Sequence, residues 1–470
     1  MEVIPVPLTD QHRPVNNIRT RTFFIVDACL DEELLKNALD SLIRHSWRKL
    51  GARLTTRHQD GLLEYRLPRQ FEDGYALFEW SSKTYEQPIG RIPSLPKVPS
   101  PGKGAALLPC VSSISDWFQP SDWPYERKDE LPDAPMLYVH LSFFADATVV
   151  AMNCPHVLGD QYGLGNIMKA WLGQVKGQAP SAMVGLENDI LSNGKTYTDY
   201  QKHEVVRKGR MKIRRRMEYA FVLSGFIVEL VLQSKEEAHT LFLPCPLVES
   251  LRERHSETLR AKYAKPPRIT NGDIISAIIL KLARMAQSPK RTIGLTQTVN
   301  MRGRLPQLQD NPDLYVHNAL HYGTSRFKLD TAMPLSEIAY QNRLAITEAI
   351  DPKDMEIGMT VAREAVRRKQ AIHICEPFEK SYNVSNWTAA WKALDFSPAV
   401  KINEKTQQQT STAPKLLVLG EAKEKKAPAR FSSSILCKTD EGYWCHFAAS
   451  VKTTKLIQAY LDKDPMLENL

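Results

Sequence analysis

The chain has 470 residues, 43% of them hydrophobic and 24% charged, a balance that excludes fibrous and disordered classes and suits about two or three domains with real cores. A formal net charge of +9 admits nucleic acid, an anionic lipid surface or a small polyanionic ligand as partner. Without zinc-finger spacing or an RNA-binding signature, nucleic acid is the weakest of the three. Seven cysteines, none in a C-x-x-C pair, read as reduced intracellular thiols rather than a disulfide frame or a zinc site.

The N-terminus shows no secretory signal. The longest apolar segment, Tyr219 to Leu232, carries Glu229 and falls short of the ~20 residues that span a bilayer. A cytoplasmic protein with no integral span is expected, with peripheral membrane contact left open.

Taken in chain order, Thr22 to Cys29 reads as a strand of β-formers. A helix follows, capped by Asp31, with Leu34, Leu35, Ala38, Leu39, Leu42 and Ile43 at helical spacing and Gly51 as its stop. Leu62 to Leu67 is a further strand. The proline- and serine-rich stretch from Pro88 to Pro135 has no steady period and reads as long surface loops. Met136 to Phe144 and Thr148 to Cys154 then form a hairpin over Ala145-Asp146-Ala147. Its second strand ends at Pro155, His156 follows directly, and a helix begins near Gly159 or Asp160 with Leu164, Ile167, Met168, Trp171 and Leu172 on its apolar face.

Gly173 to Gln201 is polar and irregular, the start of a crossover. The basic run Arg207, Lys208, Arg210, Lys212, Arg214, Arg215 and Arg216 precedes the apolar segment; it reads as a solvated face, with contact to anionic lipid as the alternative. A second αβ pattern follows: strand Thr240–Leu243, helix Val248–Arg254, a buried helix capped by Thr270 with Asp273 at its third position, and strand Ile293–Asn300. Lys401 to Ala413 is polar and of low complexity, and two strands, Phe431–Cys437 and Tyr443–Val451, close the chain.

The segment with chemical promise is Asn153-Cys154-Pro155-His156-Val157-Leu158-Gly159-Asp160. A histidine at the end of a buried strand is rigidly aimed, and an imidazole with a pKa near ~6.5 suits a general base at neutral pH. Asp160 fixes the turn or caps the helix behind it. H-x-x-x-D also arises by chance, and a satisfied structural histidine is the plain alternative.

Phe144-x-Asp146-Ala147-Thr148 followed by Pro155-His156-x-x-x-Asp160 resembles the core of the BAHD-type acyltransferases, particularly their fungal branch. Thr298-Val299-Asn300-Met301-Arg302-Gly303-Arg304 and Tyr315-Val316-His317-Asn318 are similar to its V-[DN]-x-R-x-R and Y-F-G-N region, and Ser385-Asn386-Trp387 with Leu394-Asp395-Phe396-Ser397 to its S-x-W and D-F-G-W-G region. The resemblance implies an α/β (α+β) protein of two similar chloramphenicol-acetyltransferase-like domains, mixed sheets flanked by helices, with a channel between them. It places residues 1–175 in the N-terminal domain, 176–235 in a crossover and 236–470 in the C-terminal domain. It also implies a monomer that moves an acyl group, acetyl by default, from a coenzyme A thioester to a hydroxyl of a small specialised metabolite such as a terpenoid or polyketide, with no permanently bound cofactor.

On this reading His156 is the base and Asp395 the second catalytic candidate, with a structural pairing of Asp395 to Arg302 or Arg304 as the alternative, and Asp160, Arg302 and Arg304 support the site. Lys265, Arg268 and Thr270 are candidates for coenzyme A phosphates at a helix N-terminus, with a solvated loop as the alternative. Two departures stand out: Gln161 replaces the glycine that often follows the motif aspartate, and the last box is degraded to Asp395-Phe396-Ser397-Pro398-Ala399. That decay motivates a rival reading, a non-catalytic small-molecule binder. A condensation-type enzyme using a carrier-bound donor is the other rival, although Pro155 stands where such sites carry a second histidine. Cys154 as an acyl-enzyme nucleophile gives way to a small buried cysteine. His317 and His321 read as surface or loop histidines rather than metal ligands, and no metal is expected.

Overall fold

The computed structural model describes every residue except 101, 186–188, 193, 287–291, 331 and 402–412. The polar segment read at 401–413 therefore lies almost wholly outside the described residues. Two mixed sheets organise the chain. The first runs in the order Leu416–Ala422, Arg19–Val26, Thr148–Pro155, Tyr138–Phe143, Glu79–Thr84. All its neighbours are antiparallel except the last pair. The second has seven strands: Leu320–Lys328, Thr292–Asn300, Lys380–Asn386, Ser432–Lys438, Gly442–Ser450, Glu236–Pro244 and Ala106–Pro109. Parallel pairing there is confined to Lys380–Asn386 and its two neighbours. A small third sheet joins Glu2–Pro5, Leu63–Leu67 and Arg53–Thr56.

Helices cover the sheets and fill two separate cores. Helix Glu32–Ser41, capped by Asp31 as its sequence dictates, and helix Gln161–Val175 pack Leu35, Leu39, Ile167 and Trp171 into the first. Helix Asn271–Ala283 supplies Ile274, Ile275, Ile278 and Ile279 to the second. The α-helix after Asp31 is shorter than its apolar spacing predicts, because the chain passes at Leu42 into a π turn and then a 3-10 turn before Gly51.

Two strands belong to the sheet of the opposite half. Leu416–Ala422 pairs with Arg19–Val26, and Ala106–Pro109 pairs with Glu236–Pro244. The halves are thus interleaved rather than cut at single points near 175 and 236. The region 88–135 also departs from its reading as surface loop: besides that strand, Val111, Ile114, Phe118 and Trp123 are buried in the first core. Their irregular spacing among prolines carries no period for a sequence to display.

Part of the basic run departs from a solvated face as well, while Lys208, Arg215 and Arg216 are exposed as read. Arg210 and Arg214 are buried. Arg207 pairs with Asp354 at 2.8 Å, Arg210 with Glu348 at 2.8 Å, and Lys212 with Glu376 at 2.7 Å. Their partners lie more than a hundred residues downstream, so no local charge pattern announces them.

Candidate active site

Thr148–Pro155 is buried along its whole length and paired on both edges. A one-residue slip would turn its apolar side chains to the wrong face, so the point where the chain leaves this strand is fixed. Buried Arg19 adds a polar lock: its Nε donates to Asn153 Oδ1 at 2.6 Å, and Asn153 Nδ2 donates to the Pro124 carbonyl at 2.9 Å.

His156 emerges from that end with its backbone held on both sides. Its N–H donates to the Ile18 carbonyl at 2.9 Å, and its carbonyl accepts from Asn318 Nδ2 at 2.8 Å. The half-buried residue lines a cavity of about 660 Å³ whose wall on the other side comes from the second sheet, including Thr298, Asn383, Ser385 and Asn386. Burial lowers the imidazole pKa from 6.5, opposed by its own carbonyl, the Asp160 charge and Asn318. The ring is therefore neutral at pH 7 and able to accept a proton.

Asp160 does not bond the ring. Its Oδ1 caps helix Gln161–Val175 by accepting from Gly163 N at 2.9 Å, while Oδ2 accepts from Arg302 Nη1 and Ala319 N, each at 2.9 Å. Arg302 is itself consumed: Nε donates to the Tyr315 carbonyl at 2.9 Å and Nη2 to the His317 carbonyl. The buried Asp160–Arg302 pair thus ties the helix start to segment 315–319, and that segment's Asn318 holds the His156 carbonyl. The tie demands close backbone approach. A Cβ at Gly159 or Gly163 would overlap the Val316 carbonyl oxygen.

No family model matches the chain. Among curated proteins it is 25% identical to the acetyltransferase pyiB of Pyricularia grisea, over 88% of this chain and 83% of that protein. It is also 25% identical to the acetyltransferase adrJ of Penicillium rubens, over 80% of this chain and 77% of that one. Among solved structures, TRI101 of F. sporotrichioides complexed with coenzyme A and T-2 superposes with a TM-score of 0.69 at 12% identity, covering 99% of both chains. The chain is thus similar in sequence to fungal acetyltransferases and shares the fold of TRI101.

The remaining predicted residues fall in different places. Asp395 corrects the reading. It pairs not with Arg302 or Arg304 but with Lys176, at 3.0 Å, and both side chains are more than a third exposed. Bonds from Ser397 first, then Lys176, hold its carboxyl at about 2. Lys176 follows the far end of helix Gln161–Val175, about 22 Å along the axis from the Asp160 cap. Asp395 accordingly makes no catalytic contact with His156; Arg302 had no capacity left for it. Arg304 is exposed and donates to the Asn300 carbonyl.

Lys265 and Arg268 are exposed beside the helix that Thr270 caps, and none of the three lines the cavity. Thr270 cannot donate to a phosphate as expected, because its N–H and O–H both donate to Asp273, at 2.7 and 2.8 Å. This helix start does adjoin the cavity: a Cβ on Gly272 would sit 3.3 Å from Asn386 Nδ2. Cys154 is buried in the first core, and burial pushes its thiol up to about 11, which removes it as a nucleophile.

His317 and His321 are buried, not surface residues. His321 Nε2 meets Asp354 at 3.0 Å. His317 lies 2.9 Å from Lys49 Nζ through Nε2, and its Nδ1 lies 3.2 Å from the Leu158 carbonyl. Burial, then the Lys49 charge, drives His317 well below 6.5, so its neutral ring donates to Leu158 and accepts from Lys49. Desolvation brings Lys49 down to about 7.

Several cavity residues escape sequence reasoning, among them His12, Tyr219 and Phe226. His12 shares the cavity with His156, and Tyr219 and Phe226 enter it from helix Arg216–Leu232. His12 stands in a short irregular segment with no pattern. The two aromatics looked like members of an apolar run and carry no sign of which face they occupy.

Proposed function

We propose that the protein is an acyl-CoA-dependent O-acyltransferase acting on a hydroxyl of a small specialised metabolite, with His156 as general base. The observation that carries this reading is a neutral imidazole at a pinned strand end, opening onto a cavity large enough for two substrates, while the neighbouring carboxylate is spent on structure. The acetyltransferase names of pyiB and adrJ support the reaction class, and the coenzyme A and T-2 held by TRI101 support the pairing of a thioester with a small alcohol.

Because Nδ1 of His156 is enclosed, the proton passes through Nε2. Nε2 takes the proton of the acceptor hydroxyl as its oxygen adds to the thioester carbonyl. The tetrahedral oxyanion draws on donors in the opposite wall, among Thr298, Asn383, Ser385 and Asn386. Collapse breaks the carbon–sulfur bond, and the imidazolium returns its proton to the departing thiolate. Both substrates sit in one cavity, so positioning supplies much of the acceleration. For the coenzyme A phosphates we keep exposed Lys265 and Arg268 as candidate partners, although neither lines the cavity. Acetyl-CoA is the donor we assign, to a monomer working in the cytoplasm.

The test is release of coenzyme A thiol from acetyl-CoA in the presence of pooled terpenoid and polyketide alcohols, with the product mass read by mass spectrometry. An alcohol gaining one acetyl group is expected. No release with any coenzyme A thioester, together with transfer from a carrier-bound acyl group, would show a condensation-type enzyme instead.

A further inference from the structure

Helix Arg216–Leu232 has two unlike faces. Tyr219 and Phe226 line the active-site cavity, and Val222 and Gly225 are buried against the body. On the opposite face Met217, Phe221, Ile227, Val228, Val231 and Leu232 are exposed, at a spacing that forms one stripe along the helix. The exposure is large: 67% at Met217, 54% at Ile227, 72% at Val231 and 77% at Leu232. Phe378, also exposed, packs its ring 5.1 Å from Phe221 and widens the stripe. Solvated helix faces do not carry contiguous large apolar side chains without a partner surface.

The charges say which partner. The stripe itself holds no acid. Both carboxylates of the helix serve the interior, Glu218 with Arg214 and Lys212, Glu229 with Arg284 and Lys380. Exposed cations bracket the stripe instead: Arg215 and Arg216 at its start and Lys235 just past its end, none of them in an ion pair among the described residues. Arg207, Arg210, Lys212 and Arg214 are neutralised internally, so the basic run divides into a structural part and an outward part.

The helix is about 25 Å long, and no helix among the described residues is long and apolar enough to cross a membrane. An apolar stripe with cations at its ends suits a helix lying in the plane of an anionic lipid surface.

We propose that helix Arg216–Leu232 docks this protein on an anionic bilayer surface. Its inner face forms part of the cavity wall, so docking sets the cavity beside the membrane. An apolar acceptor dissolved in lipid then reaches the site without crossing water. The contact stands on the helix alone; its purpose rests on the acyltransferase reading.

The test uses the full chain with vesicles of phosphatidylcholine, alone or mixed with phosphatidylserine, read by co-sedimentation. Binding is expected to the mixed vesicles and to fall with salt. The double variant R215Q/R216Q should bind about thirty-fold more weakly, since each cation near such a surface strengthens binding about five-fold. The triple variant I227S/V231S/L232S should also lose binding. Both variants should keep wild-type transfer to a water-soluble alcohol, which shows that they fold. Absence of binding to mixed vesicles overturns the proposal, as does equal binding by wild type and variants. A dimer that the triple variant dissolves, with no vesicle binding, assigns the stripe to a second copy and overturns it too. Vesicle binding without any acyl transfer would leave the docking in place and refute the enzymatic reading alone.

Discussion

Asp160→Asn isolates the tie between helix and loop from the chemistry beside it. The amide oxygen can still cap Gly163 N, but the new NH2 group faces Arg302 Nη1 and Ala319 N, two donors where a carboxylate oxygen accepted both. Arg302 and Asp160 side chains are 3% and 4% exposed, so the guanidinium is left charged and poorly matched in a dry setting. Removing one partner of such a pair costs about 3–5 kcal/mol, and the orphaned Ala319 N–H is part of that cost. We expect a loss on the order of 4 kcal/mol in urea unfolding followed by tryptophan fluorescence. Segment 315–319 would also loosen its hold on the His156 carbonyl through Asn318. A shift of about 1 Å at the ring lowers kcat by about a hundredfold, read by thiol release. Stability within about 1 kcal/mol of wild type alongside lost activity would refute this reasoning, because it would give Asp160 a part in the reaction rather than in the scaffold.

Other expectations follow from single contacts. Gly163→Ala places a methyl group against the Val316 carbonyl and should lower stability by about 1–3 kcal/mol and transfer by at least about tenfold, in the same two assays. Asp395→Asn removes an exposed pair with Lys176 and should cost about 0–1 kcal/mol while leaving the transfer rate unchanged; a rate loss beyond about tenfold would return Asp395 to the site. Burial first, then Lys83, lowers His140 from 6.5 to about 4. The unfolded chain takes this proton before the folded one, so its contribution is full above pH 6.5 and is lost as pH falls toward about 4. At about 1.4 kcal/mol per pH unit the loss reaches at most about 3 kcal/mol. Urea midpoints between these pH values should fall less steeply in His140→Asn than in wild type.

The sequence made local order legible and long-range order only in outline. Asp31, Asp160 and Thr270 announce their helices because a cap and its partner lie within one turn. The hairpin before His156 is equally local, with Phe143 facing Thr148 across it. Strand Leu416–Ala422 pairs with Arg19–Val26 across almost the whole chain, and nothing in either segment names the other.

The site followed the same division. His156 and its strand end were readable, and the motif resemblance brought Asp160 and Arg302 to one place. The mistake at Asp395 came from assigning Arg302 a partner without seeing that Asp160 and two carbonyls already occupy it. His12, Tyr219 and Phe226 join the cavity only through the meeting of three distant segments.

The central claim is most directly tested by His156→Ala under saturating acyl-CoA and acceptor, with transfer followed by product mass and unfolding by tryptophan fluorescence. Loss of a positioned base predicts a fall of about a hundredfold to ten-thousandfold in kcat with an unchanged unfolding midpoint. A variant that transfers the acyl group at the wild-type rate would contradict the account at its root.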